Sequence, residues 1–370
     1  MTEKKINPRF RILSALAIIF VVAGHANLGV FDMAGMFPYY SFHVGVFVFI
    51  SGYFYKVENE YNIKNYLIKK MRHLLLPYYL WNLIYGIVVT GLHGFGFQIG
   101  STITIKSLLL DPFLGGHQYG FNFAAWFVPV LFLIEVMNIF LRKLLDVIHL
   151  KKEIFILVSA LVIGILVVWL AKRGSVWGYY KHIGCVLFLF PMFQMGHFYK
   201  NVLEEKIEKI PKVYYFGIVL LIQYVTVLWT KGQIGYSAVW CTGFGSSAWV
   251  PYVTTATGIL FWLGVATLIE PLWKPGNVID IIGKNSFSIM MHHMLGFWIV
   301  NTILYFVSRV GNVFSDFDST MYFTSYEYRY LIGSMENSKW IYLLVGILFS
   351  LCIKKIEESV KKMIFTLKSK

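Results

Sequence analysis

The apolar run "SALAIIFVVAGHANLGVF", residues 14–31, carries a histidine, His25, deep inside it. The next apolar run, "SFHVGVFVFISGYFY", carries His43. A later one, "GKNSFSIMMHHMLGFW", carries the pair His292 and His293. An imidazole takes and returns a proton near neutral pH, so it suits general-base catalysis, a proton relay or a covalent step. Ionisable groups inside membrane spans are costly, which makes each a candidate for function. The bland alternative is a ring tied to a backbone carbonyl, and it is the preferred reading for His292. His73, His149 and His197 fall near the ends of apolar runs and need no chemical role, while His93, His117 and His182 are left open. Glu135, inside "VPVLFLIEVMNIF", would orient a histidine or, more simply, bond a neighbouring helix.

Other reaction chemistry is scarce. The chain has no HxxxxD motif of soluble acyltransferases, no GxGxxG or phosphate-cradling Walker loop, and no HExxH for zinc. Its three cysteines are scattered, so neither a metal cage nor a disulfide framework is expected. The run "KNYLIKKMRHLLLPYYLW" gathers Lys64, Lys69, Lys70 and Arg72 just before an apolar stretch. Such a cluster anchors to anionic lipid. It would equally cradle an anionic donor, because the planar fork of an arginine bonds two phosphate oxygens at once.

The elements that must position these groups are helices in lipid. Of the 370 residues 57% are hydrophobic and only 14% charged, against roughly 25% charged in soluble domains. The net charge of +14 is split among the short flanks of apolar runs, which argues for membrane topology and against nucleic acid. A crossing helix needs roughly 20 apolar residues. Ten candidate spans are expected: 12–30, 38–55, 73–92, 123–141, 153–171, 180–199, 213–230, 250–270, 284–307 and 339–356. With both termini on one side, 25 of the 33 Lys and Arg residues fall in segments on that side and 8 on the other. The positive-inside rule then makes both termini cytoplasmic. The expected fold is an all-α, polytopic transmembrane bundle of about ten spans forming one integral domain, residues 1–370. The basic start "MTEKKINPRFR" meets no small-residue cleavage site, so no cleaved signal peptide is expected.

Several stretches together resemble the acyltransferase 3 family of integral membrane acyltransferases, in particular its fucose 4-O-acetylase-like branch. "IIFVVAGH" resembles the first-span histidine motif. "FHVGVFVFISGYFY", with His43, Ser51, Gly52 and Tyr53, is similar to an F-H-x-x-x-F-x-x-x-S-G-Y signature. "KKMRHLLLPYYLW" resembles the basic stretch entering the third span, and "AAWFVPVLFLIE" the fourth-span W-F motif with Trp126 and Phe127. "IGKNSFSIMMHH" is similar to the late G-K-x-S…H motif, with Gly283, Lys284, Ser286 and His293. Two positions depart from the pattern. The arginine eleven residues before the first-span histidine is replaced by Ser14, with Arg11 one turn earlier, and the tyrosine of the late motif is Met290.

The resemblance implies an O-acyltransferase that moves an acetyl or similar acyl group from acyl-CoA to a hydroxyl of an extracytoplasmic carbohydrate, without a metal. It implies a multi-pass protein of the plasma membrane, expected to be bacterial, with acyl-CoA, a carbohydrate acceptor, membrane lipids and proteins of polysaccharide biosynthesis or export as partners, and no nucleic acid. On this reading His25 is the general base and His43 orients it or binds the acceptor, with a covalent acyl-histidine step left open. Arg72, Lys70 and Arg11 hold the CoA phosphates, and Trp126, Ser286 and His293 contact substrate. The competing expectation is a transporter or flippase of a polysaccharide precursor, in which the histidines relay protons.

Overall fold

The computed structural model describes residues 6–368, except Ser246, Asn312 and the side chains of Val30, Phe365 and Lys368. Lys4 and Lys5 of the basic start lie outside the described residues. Among the described residues ten main helices follow one another: α1 (Pro8–His25), α2 (His43–Tyr53), α3 (Ile63–His93), α4 (Phe123–Val147), α5 (Glu153–Lys172), α6 (Tyr180–Phe198), α7 (Lys212–Thr230), α8 (Val250–Leu272), α9 (Ser286–Gly311) and α10 (Lys339–Lys368). Short helical turns fill the connections, and the described residues form no strand beyond one isolated bridge between Ser237 and Thr242. The fold is all-α, as expected.

Seven of the ten helices are long and apolar enough to cross a membrane; α2, α6 and α10 are not. Each shortfall has a local cause. The 11 residues of α2 rise only about 16 Å, roughly half of a bilayer core. The polar groups of α6 are turned into protein instead of lipid: Lys181 donates to the Gly115 carbonyl, Gln194 to Asn138, and His197 meets Glu153 at 3.0 Å. The apolar stretch of α10 is bracketed by Lys339 and by Lys354 and Lys355.

The elements alternate between two ends of one bundle. Arg11 Nε meets Asp280 at 3.3 Å, Arg9 pairs with Glu208 at 2.7 Å, and Tyr53 donates to Glu204 at 2.8 Å. Ser288 donates to the Ser350 carbonyl at 3.0 Å, so the remainder of α10 extends toward the same end. The basic segments expected on one side of the membrane therefore do share one end. The described residues of 26–42, 94–122, 173–179, 231–245, 247–249 and 313–338 lie at the other.

The packing explains the glycines of the second motif. Helix α2 lies on α6 so closely that a Cβ at Gly52 would strike the Phe193 carbonyl, and one at Gly196 the Phe49 carbonyl. Small residues let two helix backbones approach in this way where lipid offers no hydrophobic drive. Gly283 serves the same purpose against the Arg11 carbonyl. Helix α9 packs along α10 and touches α1, which brings His293 beside His25.

Candidate active site

Helix α1 starts cleanly: the Asn7 side chain accepts from the Phe10 amide, and Pro8 takes the first helical position, where a missing N–H costs nothing. It ends sooner than the apolar run suggests. The expected span continues to residue 30, but Asn27 adopts a left-handed conformation with φ 54° and the chain turns away. His25 is thus the last residue of the helix, not an interior one. Tyr40 donates to the Gly24 carbonyl at 2.9 Å, and Tyr39 donates to that of Leu28. A Cβ at Gly24 would come 3.1 Å from the Tyr40 hydroxyl, which is why glycine suits the position before His25.

His25 and His43 open onto one cavity of about 280 Å³. Near them its wall carries Tyr40, Trp126 and Tyr236, and farther along it carries Ser51, Ser14, Leu74 and Ser286. Ser14 and His25 are eleven residues apart, three turns of one helix face, so the cavity follows α1 for roughly 16 Å. Phe47, Phe123, Phe127 and Phe287 make the rest of the wall largely apolar.

The geometry assigns the protons. His293 Nδ1 lies 2.7 Å from the Ile289 carbonyl, which can only accept, so Nδ1 carries the proton. Neutral His293 then offers Nε2 as an acceptor. His25 Nδ1 lies 2.7 Å from that Nε2, and the two rings are nearly coplanar at 6°. His25 is therefore the donor at Nδ1, and its Nε2 lone pair is free. No described residue bonds that nitrogen. His43 is built differently: its Nδ1 donates to the Tyr39 carbonyl, and it stands at the first residue of α2.

The position of each ring in its helix separates their roles. A positive charge at a helix C-terminus is favoured by about 0.3–1 kcal/mol, and the same charge at an N-terminus is disfavoured. His25 ends α1, and His43 begins α2. Of the two rings in the cavity, His25 is the one placed to accept a proton. Its hydrogen-bond partner is His293 of the late motif and not His43.

The remaining expected site residues divide. Trp126 and Ser286 line the cavity. His293 stands behind His25, outside the lining. Lys70 meets one oxygen of the buried Glu135 carboxylate at 2.5 Å, which ties α3 to α4 and gives Glu135 the helix-bonding role. Arg11 is paired with Asp280. Arg72 is exposed on the turn that leads to Leu74 at the cavity wall, and Lys284 is exposed two residues before Ser286. His292 accepts from or donates to the Tyr85 hydroxyl at 2.8 Å and packs on Trp81, the structural role foreseen for it. Sequence reasoning missed Tyr40 and Tyr236, whose positions follow from loop folding that no periodicity reports.

An all-helical membrane protein with a histidine pair on an internal cavity is the class that fold and site define. The family model of the acyltransferase 3 group, described as an acyltransferase domain, matches residues 8–354. The chain belongs to that family and is a multi-pass membrane acyltransferase. No curated protein and no solved structure matches it.

Proposed function

We propose that this protein transfers an acetyl or similar acyl group from acyl-CoA to a hydroxyl of an extracytoplasmic sugar, as the likeness to the fucose 4-O-acetylase-like branch suggests. The observation that carries the reading is the His25–His293 pair: one nitrogen of His25 is held by an oriented acceptor, and the other is free at the cavity wall. The step balances simply. The sugar hydroxyl gives its proton to His25 Nε2 as its oxygen attacks the thioester carbonyl. The tetrahedral intermediate then breaks its C–S bond, and the departing sulfur takes the proton from the imidazolium. The Nδ1–H bond to His293 persists throughout, and the C-terminus of α1 stabilises the transient cation.

The donor enters from the end that carries Arg9, Arg11 and Asp280. Arg72 and Lys284 flank the Ser14–Ser286 end of the cavity as unpaired cations suited to CoA phosphates, whereas Lys70 and Arg11 spend their charge on Glu135 and Asp280. A pantetheine arm laid along α1 would bring its thioester to His25. The acceptor comes from the opposite end. With the 25-to-8 distribution of Lys and Arg, the donor end is cytoplasmic and the ten helices make ten passes, α2 completing its pass with the irregular chain before it, shielded by protein. The setting is a bacterial plasma membrane, beside proteins that build or export the polysaccharide.

Purified protein given acetyl-CoA and unacylated surface polysaccharide should release free thiol and form alkali-labile esters in equal amounts. Thiol release that is indifferent to the sugar, with no ester formed, would refute the proposal.

A further inference from the structure

Attack of a hydroxyl on a thioester creates two charges at once, a proton on the base and a negative oxygen on the carbonyl carbon. The C-terminus of α1 meets the first. The second needs hydrogen-bond donors in the same cavity. Helix α2 opens onto that cavity at His43 and Val44. No side chain caps it, so the amides of its first turn have no side-chain acceptor. Such an N-terminus favours negative charge by the same field that disfavours a cation at His43.

The polar side chains around this half of the cavity divide into spent and free donors. Tyr40 donates to the Gly24 carbonyl at 2.9 Å. The Tyr236 hydroxyl lies 2.7 Å from Thr255 Oγ. The single hydroxyl proton of Thr255 goes to a carbonyl, that of Pro251 at 2.6 Å or Ser41 at 2.9 Å, so Tyr236 is the donor to Thr255. Trp126 and Ser237 are different: neither side chain bonds a described residue. Trp126 is only 7% exposed and lines the cavity, and its N–H is not sealed off as those of Trp262, Trp273 and Trp298 are. A buried donor that stays unpaired on a cavity wall calls for an acceptor inside it.

Both free donors are held beside His25. Trp126 ends the 3-10 turn that begins at Phe123, and side chains three apart in such a turn eclipse. Phe123 itself stands edge-on to His25 at 5.9 Å. Ser237 is fixed by its bridge to Thr242 and follows Tyr236, whose amide donates to the Tyr40 carbonyl at 3.2 Å.

We infer that the first turn of α2, with the Trp126 indole N–H and the Ser237 hydroxyl, forms the oxyanion site of the acyl transfer. The inference rests on the proposed transfer from acyl-CoA to a sugar. As the sugar oxygen bonds the carbonyl carbon, the C=O π pair moves onto oxygen and is met by these donors. When that pair returns, the C–S bond breaks and sulfur takes the proton from His25. Two helices of opposite direction thus hold the two charges, α1 at its last residue and α2 at its first. Trp126 thereby has a role apart from contact with the sugar.

Trp126→Phe keeps a ring and loses the N–H, and Ser237→Ala loses the hydroxyl. Removing one oxyanion donor costs roughly 10²- to 10³-fold in kcat where it has been measured. Each variant should lose at least about tenfold in kcat for acetyl-CoA-dependent thiol release with the unacylated polysaccharide, with KM for both substrates within about twofold of the wild type. Both are compared at matched expression and melting temperature, so that one that misfolds leaves the other to decide. A folded variant that keeps the wild-type kcat, or one whose loss is confined to a raised KM for the acceptor, would overturn the inference alone. Failure of the wild type to acylate the polysaccharide would overturn the proposed function, and this inference with it.

Discussion

Replacing His293 by alanine isolates the part of the site that does not touch substrate. The substitution removes the Nε2 acceptor 2.7 Å from His25 Nδ1 and leaves that N–H without a partner beside an apolar wall. An orphaned buried donor costs about 1–3 kcal/mol, and the ring escapes that cost by turning or by moving its proton to Nε2. Either response removes the lone pair the reaction needs. If the same 1–3 kcal/mol is lost from the transition state, turnover falls by roughly 5- to 150-fold, at about 1.4 kcal/mol per decade. Losing the base itself in His25→Ala should cost roughly 10²- to 10⁴-fold. The two losses act on one proton transfer, so the double variant should be no slower than His25→Ala alone. Acetyl-CoA-dependent thiol release with a saturating acceptor, measured as kcat at equal expression, reads all three. His293→Gln, whose amide oxygen can accept from Nδ1, should recover part of the loss. If the effects multiply, or if His293→Ala runs at the wild-type rate, the pair is not a catalytic unit.

Four further outcomes follow from other parts of the molecule. His25→Gln should insert and fold normally but not turn over, checked by ester content of the polysaccharide at matched protein levels. Arg72→Ala should raise KM for acyl-CoA several-fold more than KM for the acceptor, because phosphate contacts act mainly in binding. Gly52→Ala forces a methyl against the Phe193 carbonyl and should lower stability by about 1–3 kcal/mol, visible as a reduced melting temperature in detergent. In a background with the exposed Cys352 replaced, a cysteine at Ser315 should react with an impermeant thiol reagent in intact cells and one at Glu205 should not, with equal labelling contradicting the orientation.

Much of the bundle was legible because lipid imposes a simple rule on a chain. Long apolar runs became helices α1, α3, α4, α5, α7, α8 and α9, and the basic flanks gathered at one end. What escaped was whatever depends on protein burying protein. Helix α6 is the most enclosed of the bundle and for that reason carries Lys181, Gln194 and His197, which dilute its apolar signal. The end of α1 was misplaced by five residues, since an apolar run reports burial and not where a single left-handed Asn27 stops the helix. Charge runs misled in the same way: Lys70 and Arg72 read alike in the sequence, yet one side chain turns inward to Glu135 and the other stays exposed.

The five-residue shift of that helix end changes the chemistry expected of His25. In mid-helix the ring would be a costly polar group in an apolar column, with its backbone carbonyl used up by the helix and no charge-stabilising dipole at hand. At the last position it gains the field of the whole of α1, whose partial negative charge falls off within about one turn. His43, at the opening of α2, meets the opposite field on the same cavity. Two histidines that look equivalent in composition and burial are thereby made unequal by the direction of the chain through each. Exchanging their roles would require reversing a helix, so no substitution at His43 should create a base that replaces His25. A His25→Gln variant should stay inactive under any second change at His43, and a suppressor found there would contradict this division of roles.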